Sequence, residues 1–316
     1  MKRGYIFPGQ GSQSVGMGRA LAEEFGAARD VFAAVDDALD QKLSQLMWDG
    51  PESELTLTEN AQPALMAVSM AVLRVLAENG IKLSDDAAYV AGHSLGEYSA
   101  LTGTGALELA DAARLLKLRG QAMQRAVPVG VGAMAALLGL EFEAVVEVAE
   151  QAEQGEEICA AANDNAVGQV VVSGHAAAVA RAIDLAKERG AKRAMELPVS
   201  APFHCALMQP AAEEMQAALA ETKIVAPSVP VIANVRAAPV SDPEEIRSLL
   251  VEQITERVRW RESMIWLADN AAGNLVELGS GKVLTTMARR IDPRLSAQAI
   301  STPDDISAYL EENKGD

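Results

Sequence analysis

The sequence predicts an α/β fold built on a parallel sheet, with a smaller subdomain inserted into it. Three observations carry that expectation. Short apolar runs alternate with stretches of helical periodicity through most of the chain. One such run ends in a glycine-flanked turn that opens a helix. Between residues 129 and 198 the alternation changes character. At 316 residues the chain is long enough to bury a large core, and one domain with an insertion accommodates it.

Taken in order, Tyr5-Ile6-Phe7 reads as a buried strand running into Pro8-Gly9-Gln10-Gly11-Ser12-Gln13. A glycine-rich loop after a strand brings backbone N–H groups close to a ligand oxygen, and the Gln10 N–H is the candidate donor. The glycine spacing fits neither a dinucleotide fingerprint nor a P-loop, since no Lys-Ser/Thr follows Gly11. Ala61 to Glu78 has helical spacing, with Ala64, Leu65, Val68, Val72, Leu73 and Leu76 on the buried side. Ala87 to Ala91 is the next strand, followed by Gly92-His93-Ser94-Leu95-Gly96 and a helix opening at Leu95. This strand–turn–helix setting is what a G-x-S-x-G nucleophile elbow requires: a strained turn lifts the serine above the sheet edge. Ser94 is the candidate nucleophile and the Leu95 N–H a candidate oxyanion donor; the alternative is a tight glycine turn with no chemistry. His93 is too near in sequence to serve as its base.

Asp111 to Val127 is helical, with Ala112, Leu115, Leu116, Ala122, Met123 and Ala126 forming its apolar stripe. Arg119 falls on that stripe, whereas Arg114, Lys117, Gln121 and Arg125 fall opposite. An inward guanidinium needs an anion, because burying it alone is very costly. That anion is either an internal carboxylate or a ligand. After Val127-Pro128-Val129-Gly130 the pattern reads strand (133–138), helix (142–153), two strands (158–163 and 169–173), helix (176–189) and strand (194–199). The β-α-β-β-α-β order is that of a ferredoxin-like unit. A helix at 211–219 follows, and the larger layer resumes with strands at 229–234 and 274–278. The expected division is therefore 1–128 with 199–316 as the catalytic α/β subdomain, and 129–198 as the insertion.

Only three histidines exist, so the choice of base is narrow. His175 follows Ser173-Gly174 and reads as a solvated loop residue. His204, in Val199-Ser200-Ala201-Pro202-Phe203-His204-Cys205, lies beyond a strand end, where catalytic bases commonly sit. Cys159 and Cys205 imply no disulfide framework and read as small buried hydrophobes; no cluster of metal ligands and no cofactor motif is visible. A net charge of −17 argues against nucleic acid and anionic membranes as partners. No apolar run approaches the ~20 residues of a membrane span, and no leader pattern precedes Tyr5, so a cytoplasmic protein is expected.

Together these segments resemble the malonyl-CoA:acyl carrier protein transacylases of fatty-acid synthesis, over almost the whole chain. The likeness rests on Phe7 to Gln13, Gly92 to Tyr98, the Arg119 helix, Pro202-Phe203-His204, and Gln253 ahead of Trp260. It implies a hydrolase-like large subdomain, a Ser94–His204 dyad, an oxyanion hole from Gln10 and Leu95, and Gln253 supporting the histidine through a main-chain carbonyl. Arg119 would bind the malonyl carboxylate, and the Phe203 ring would limit room for an α-methyl group. Met134 and Ser200 are further candidates for the pocket wall. The activity implied is [acyl-carrier-protein] S-malonyltransferase, with malonyl-CoA and holo acyl carrier protein as partners, no cofactor and a monomeric enzyme. Because that carrier is itself acidic, docking calls for a local basic patch, for which Lys117, Lys282, Arg289 and Arg290 are candidates. The alternatives are a malonyl transferase of another carrier system, such as malonate decarboxylase or a polyketide synthase, and a serine esterase. The inward Arg119 and the insertion weigh against an esterase.

Overall fold

The computed structural model describes residues 2–199, 201–270 and 272–313. Among the described residues ten strands form two sheets: β1 (Arg3–Phe7), β2 (Ala87–Gly92), β3 (Gly132–Leu138), β4 (Cys159–Ala166), β5 (Gln169–His175), β6 (Arg193–Glu196), β7 (Val231–Ala233), β8 (Ala238–Val240), β9 (Asn274–Leu278) and β10 (Ser296–Ile300). The larger sheet has the order β10-β9-β1-β2-β7-β8, parallel throughout except for the β7–β8 hairpin at its edge. Its central strand β1 is buried from Gly4 through Phe7 because helices cover both faces. Alternate residues serve the two sides: Tyr5 and Phe7 join one core cluster and Ile6 the other.

Phe7 and Gly92 are in register at the ends of β1 and β2. The glycine-rich loop and the serine turn therefore leave the sheet side by side at its carboxyl edge, where open α/β sheets place their sites. The His93 N–H donates to the Phe7 carbonyl at 3.0 Å, which stitches the two loops together.

The smaller sheet has the order β4-β5-β3-β6 with every neighbour antiparallel, which is the ferredoxin-like arrangement. Ala133, Ala135 and Leu137 of β3 pack under the helices Phe142–Ala152 and Ala176–Glu188. Met134 of β3 and Val171 of β5 face the other way and join the main core. The inserted sheet thus lays one face over the serine turn.

The structure departs from the sequence reading in several places. β4 continues through Ala166 rather than stopping at Asn163, by way of two register irregularities; Asn-Asp-Asn resembles a turn, and a bulged strand hides its own period. β6 ends at Glu196 instead of Val199. The Leu197 N–H still donates to Met134 at 2.8 Å, but Pro198 has no N–H to continue the ladder. β7 covers only Val231–Ala233, and the three-residue β8 beside it, like β10, carries too little periodicity to be read in advance. The helix Thr58–Glu78 meets the length and apolarity of a membrane span, contrary to expectation. In the fold 83% of its apolar window is buried within the protein, so it is a core helix apolar on nearly all sides.

Candidate active site

The turn carrying Ser94 is strained by design. Ser94 has φ 52°, a left-handed conformation that a non-glycine residue adopts only when its surroundings impose it. The positions two residues to either side, 92 and 96, must be glycine for steric reasons. A Cβ on Gly92 would lie 1.9 Å from the Gly96 carbonyl group, and one on Gly96 would lie 2.3 Å from the Phe7 carbonyl oxygen. The helix Gly96–Gly103 starts directly after the turn. Among the described residues no group accepts from the backbone N–H of Leu95 or of Gln10, so both expected oxyanion donors are uncommitted. The Gln10 side chain accepts from the Thr58 hydroxyl at 2.9 Å, which anchors the loop.

His204, also left-handed at φ 59°, meets the serine: Ser94 Oγ and His204 Nε2 are 2.8 Å apart. Its other ring nitrogen, Nδ1, lies 2.8 Å from the Gln253 carbonyl oxygen. A carbonyl can only accept, so Nδ1 carries the proton and Nε2 presents its lone pair to the serine hydroxyl. Burial, then the nearby Arg119 cation, push the imidazole down to about 3, so the neutral form prevails.

Arg119 is 2% exposed on the helix Leu109–Ala126. That helix closes onto Thr58–Glu78 at Gly120, where a Cβ would stand 2.4 Å from Glu59 Cα. The approach brings Arg119 Nη1 within 2.7 Å of Gln62 Oε1. Nη2 donates to Gln253 Oε1 at 2.9 Å and to Ser94 Oγ at 3.2 Å. Among the described residues no carboxylate forms an ion pair with it. Of the two anions left open by the sequence, an internal carboxylate is therefore absent within ion-pair distance, and the guanidinium is held by neutral amides beside the nucleophile.

These groups border a cavity of about 530 Å³ between the two sheets. Its far wall comes from the insertion and its connection, including Met134, Asn163, Asn165, Val171 and Leu197 to Val199. Phe203 is buried in the main core and lines the same cavity. Ser200 lies outside the described residues.

Two expectations change. His175 is not a solvated loop residue: it ends β5, and its Nδ1 accepts from the Ile158 N–H at 3.0 Å. Lys117 is half-buried and donates to Asn60 Oδ1 at 2.9 Å, whereas Lys282, Arg289 and Arg290 are exposed. The supporting residues Asn234, Glu97, Gln62 and Asn165 were not read from the sequence. Asn234 accepts from the Ser94 N–H at 2.8 Å and donates to the Gly92 carbonyl at 2.7 Å, clamping the turn. Asn165 pairs with His93 Nε2 at 2.8 Å across the two sheets. The available signals were polar residues at buried periodic positions, as with Gln62, and at a strand end, as with Asn234.

Known proteins carry the same architecture. Residues 4–304 match the acyl transferase domain family. The malonyl CoA-acyl carrier protein transacylase of Bacillus subtilis is 44% identical over 310 residues, covering 98% of this chain and 96% of the relative. That of Escherichia coli K12 is also 44% identical, over 97% and 98% of the two chains. The crystal structure of the acyl-carrier-protein-S-malonyltransferase from Bartonella henselae superposes with a TM-score of 0.96 at 55% identity, covering 99% of both chains. A malonyl-transacylase solved in complex with a type II polyketide acyl-carrier protein, PlMCAT with AntF, gives 0.96 at 42% identity over 99% and 100%. By fold, length and sequence, the chain belongs to the acyl transferase family, among its malonyl-CoA:acyl carrier protein transacylases.

Proposed function

We propose that the protein transfers the malonyl group from malonyl-CoA to the phosphopantetheine thiol of holo acyl carrier protein, through a malonyl ester on Ser94. The observation that carries this reading is a buried guanidinium that, among the described residues, forms no ion pair, 3.2 Å from a serine hydroxyl that also meets a neutral histidine.

His204 Nε2 takes the Ser94 proton as Oγ attacks the thioester carbonyl, and the electron pair moves onto the carbonyl oxygen beside the Leu95 and Gln10 N–H groups. Collapse expels the coenzyme A thiolate, which receives the proton from His204. The carrier thiol then repeats the sequence in the other direction. The low basicity of His204 is partly a consequence of Arg119. A malonyl carboxylate seated on that guanidinium offsets its charge, so the bound substrate makes the base more competent. Gln253 supports both parts, its carbonyl on His204 and its side chain on Arg119.

We assign residues 129–198 to the inserted subdomain and 1–128 with 199–316 to the catalytic one. Ser94, His204, Arg119 and Gln253 all come from one chain, which supports a monomeric enzyme. Two buried free cysteines agree with a cytoplasmic setting. The defining experiment is incubation with radiolabelled malonyl-CoA. Label should appear covalently on Ser94, be absent from Ser94→Ala, and be released by holo acyl carrier protein; full-stoichiometry label on Ser94→Ala would place the nucleophile elsewhere.

A further inference from the structure

Beside the catalytic groups lies a buried carboxyl that the mechanism does not use. Glu97 is 3% exposed in the first turn of the helix Gly96–Gly103, and among the described residues it forms no ion pair. An unpaired buried carboxylate is costly, so its surroundings must use it as an acceptor. Two donors converge on its Oε2: the Asn234 backbone N–H at 3.0 Å and Gln253 Nε2 at 2.8 Å.

The second contact decides which way the Gln253 amide points. Nε2 faces three acceptors, Glu97 Oε2 at 2.8 Å, the Ser94 carbonyl at 3.1 Å and Asn234 Oδ1 at 3.4 Å. Oε1 faces the Arg119 guanidinium. Rotating the amide by half a turn would set its NH₂ against the guanidinium donors and its oxygen against three other oxygens. Glu97 supplies the shortest of the three contacts. The Asn234 backbone that it also holds belongs to the residue clamping the serine turn.

We propose that Glu97 is a positioning residue for malonyl selection: by fixing the Gln253 amide it orients Arg119 toward the substrate carboxylate. The charged groups around it are consistent with this role. Arg119 acts on it electrostatically from the helix Leu109–Ala126, with its guanidinium 5.8 Å from the Tyr98 ring, and His204 Nδ1 meets the Gln253 carbonyl. Burial raises the carboxyl to about 7, against the Asn234 and Gln253 donors and the Arg119 charge, which favour the ionised form.

The test reads acyl selectivity rather than activity alone. It rests on the proposed malonyl transfer, and labelling of Ser94 in the unsubstituted protein checks that reading separately. kcat/KM for malonyl-CoA and acetyl-CoA is measured in Glu97→Met, which fills the space without an acceptor, and in Glu97→Gln, which keeps a neutral one. The malonyl-to-acetyl ratio should fall about tenfold in the first and about threefold in the second, the scale of losing or weakening one hydrogen bond to a charged group. Because Glu97 acts through Gln253, neither change should lower the ratio further in a Gln253→Ala background. If Glu97→Met does not fold, Glu97→Gln alone and with Gln253→Ala decides the question. A ratio unchanged by the Glu97 substitutions, or an equal fall in the Gln253→Ala background, overturns the proposal.

Discussion

Replacing Arg119 by alanine separates a substrate-binding cation from a structural one. The guanidinium has five N–H donors, and the protein engages it at Gln62, Gln253 and Ser94 Oγ. The remaining capacity, together with the contact to Ser94 Oγ that changes during reaction, is available to a carboxylate. A hydrogen bond to a charged group contributes about 1.5–3 kcal/mol, or about 10- to 150-fold in rate. Malonyl-CoA kcat/KM should therefore fall at least about tenfold in Arg119→Ala, and further if both bonds of a bidentate pair are lost. Acetyl-CoA should fall far less, or gain, because no buried cation is left unpaired against a neutral acyl group. Gln62 and Gln253 lose a partner in either case, and that cost cancels when the two substrates are compared on one variant. Arg119→Lys should recover only part of the malonyl activity, since an ammonium cannot reproduce the planar fork. The assay is kcat/KM for both thioesters on both variants, with folding verified by thermal melting. Equal losses for malonyl and acetyl would refute the reasoning and make Arg119 a structural residue.

His204→Ala should reduce transfer by about 10²-fold or more, while His175→Ala, at a strand end with its ring on the Ile158 N–H, should leave kcat close to unchanged; a larger loss at His175 would reverse the assignment. His204 also gives a pH signature. Its folded pKa is depressed to about 3, so between there and the unfolded value of about 6.5 the unfolded chain binds the extra proton. The stability this group contributes is present above about pH 6.5 and is lost as pH falls toward 3, with a slope of up to about 1.4 kcal/mol per pH unit. Denaturant unfolding at pH 5 and pH 7 should show a smaller acid loss in His204→Ala, and identical slopes would count against a buried neutral imidazole. For carrier docking, Lys282, Arg289 and Arg290 are exposed on or beside the helix Val283–Ile291, and the Ser280 hydroxyl ties the preceding loop to Ser12 at 2.7 Å. Charge reversal at these three positions should raise the carrier KM in a salt-dependent way and leave malonyl-CoA loading unaltered; an unaffected carrier KM would move docking elsewhere.

Local signals in the sequence were enough for the α/β class with a large and a small sheet, and for a short list of candidate site residues. The G-x-S-x-G turn announces itself because only glycine tolerates the contacts at positions 92 and 96, and Arg119 because a charge on an apolar stripe breaks the helical pattern. The histidine choice was short because only three exist. What tertiary structure decided was how these residues are held. Ser94 and His204 are 110 positions apart, and Arg119 meets Gln253 across 134; no period or spacing encodes such a meeting. Whether Arg119 was paired internally could be settled only by seeing which carboxylates approach it, and among the described residues none forms an ion pair with it. The ends of β4 and β6 depended on a bulge and on Pro198, whose effects appear only against partner strands. Asn234, Gln62 and Glu97 look like ordinary polar residues in the chain, and their importance comes from burial beside one another. Sequence pattern thus exposes residues that violate a local rule, whereas those that satisfy a buried hydrogen-bond network become visible only when the distant segments are brought together.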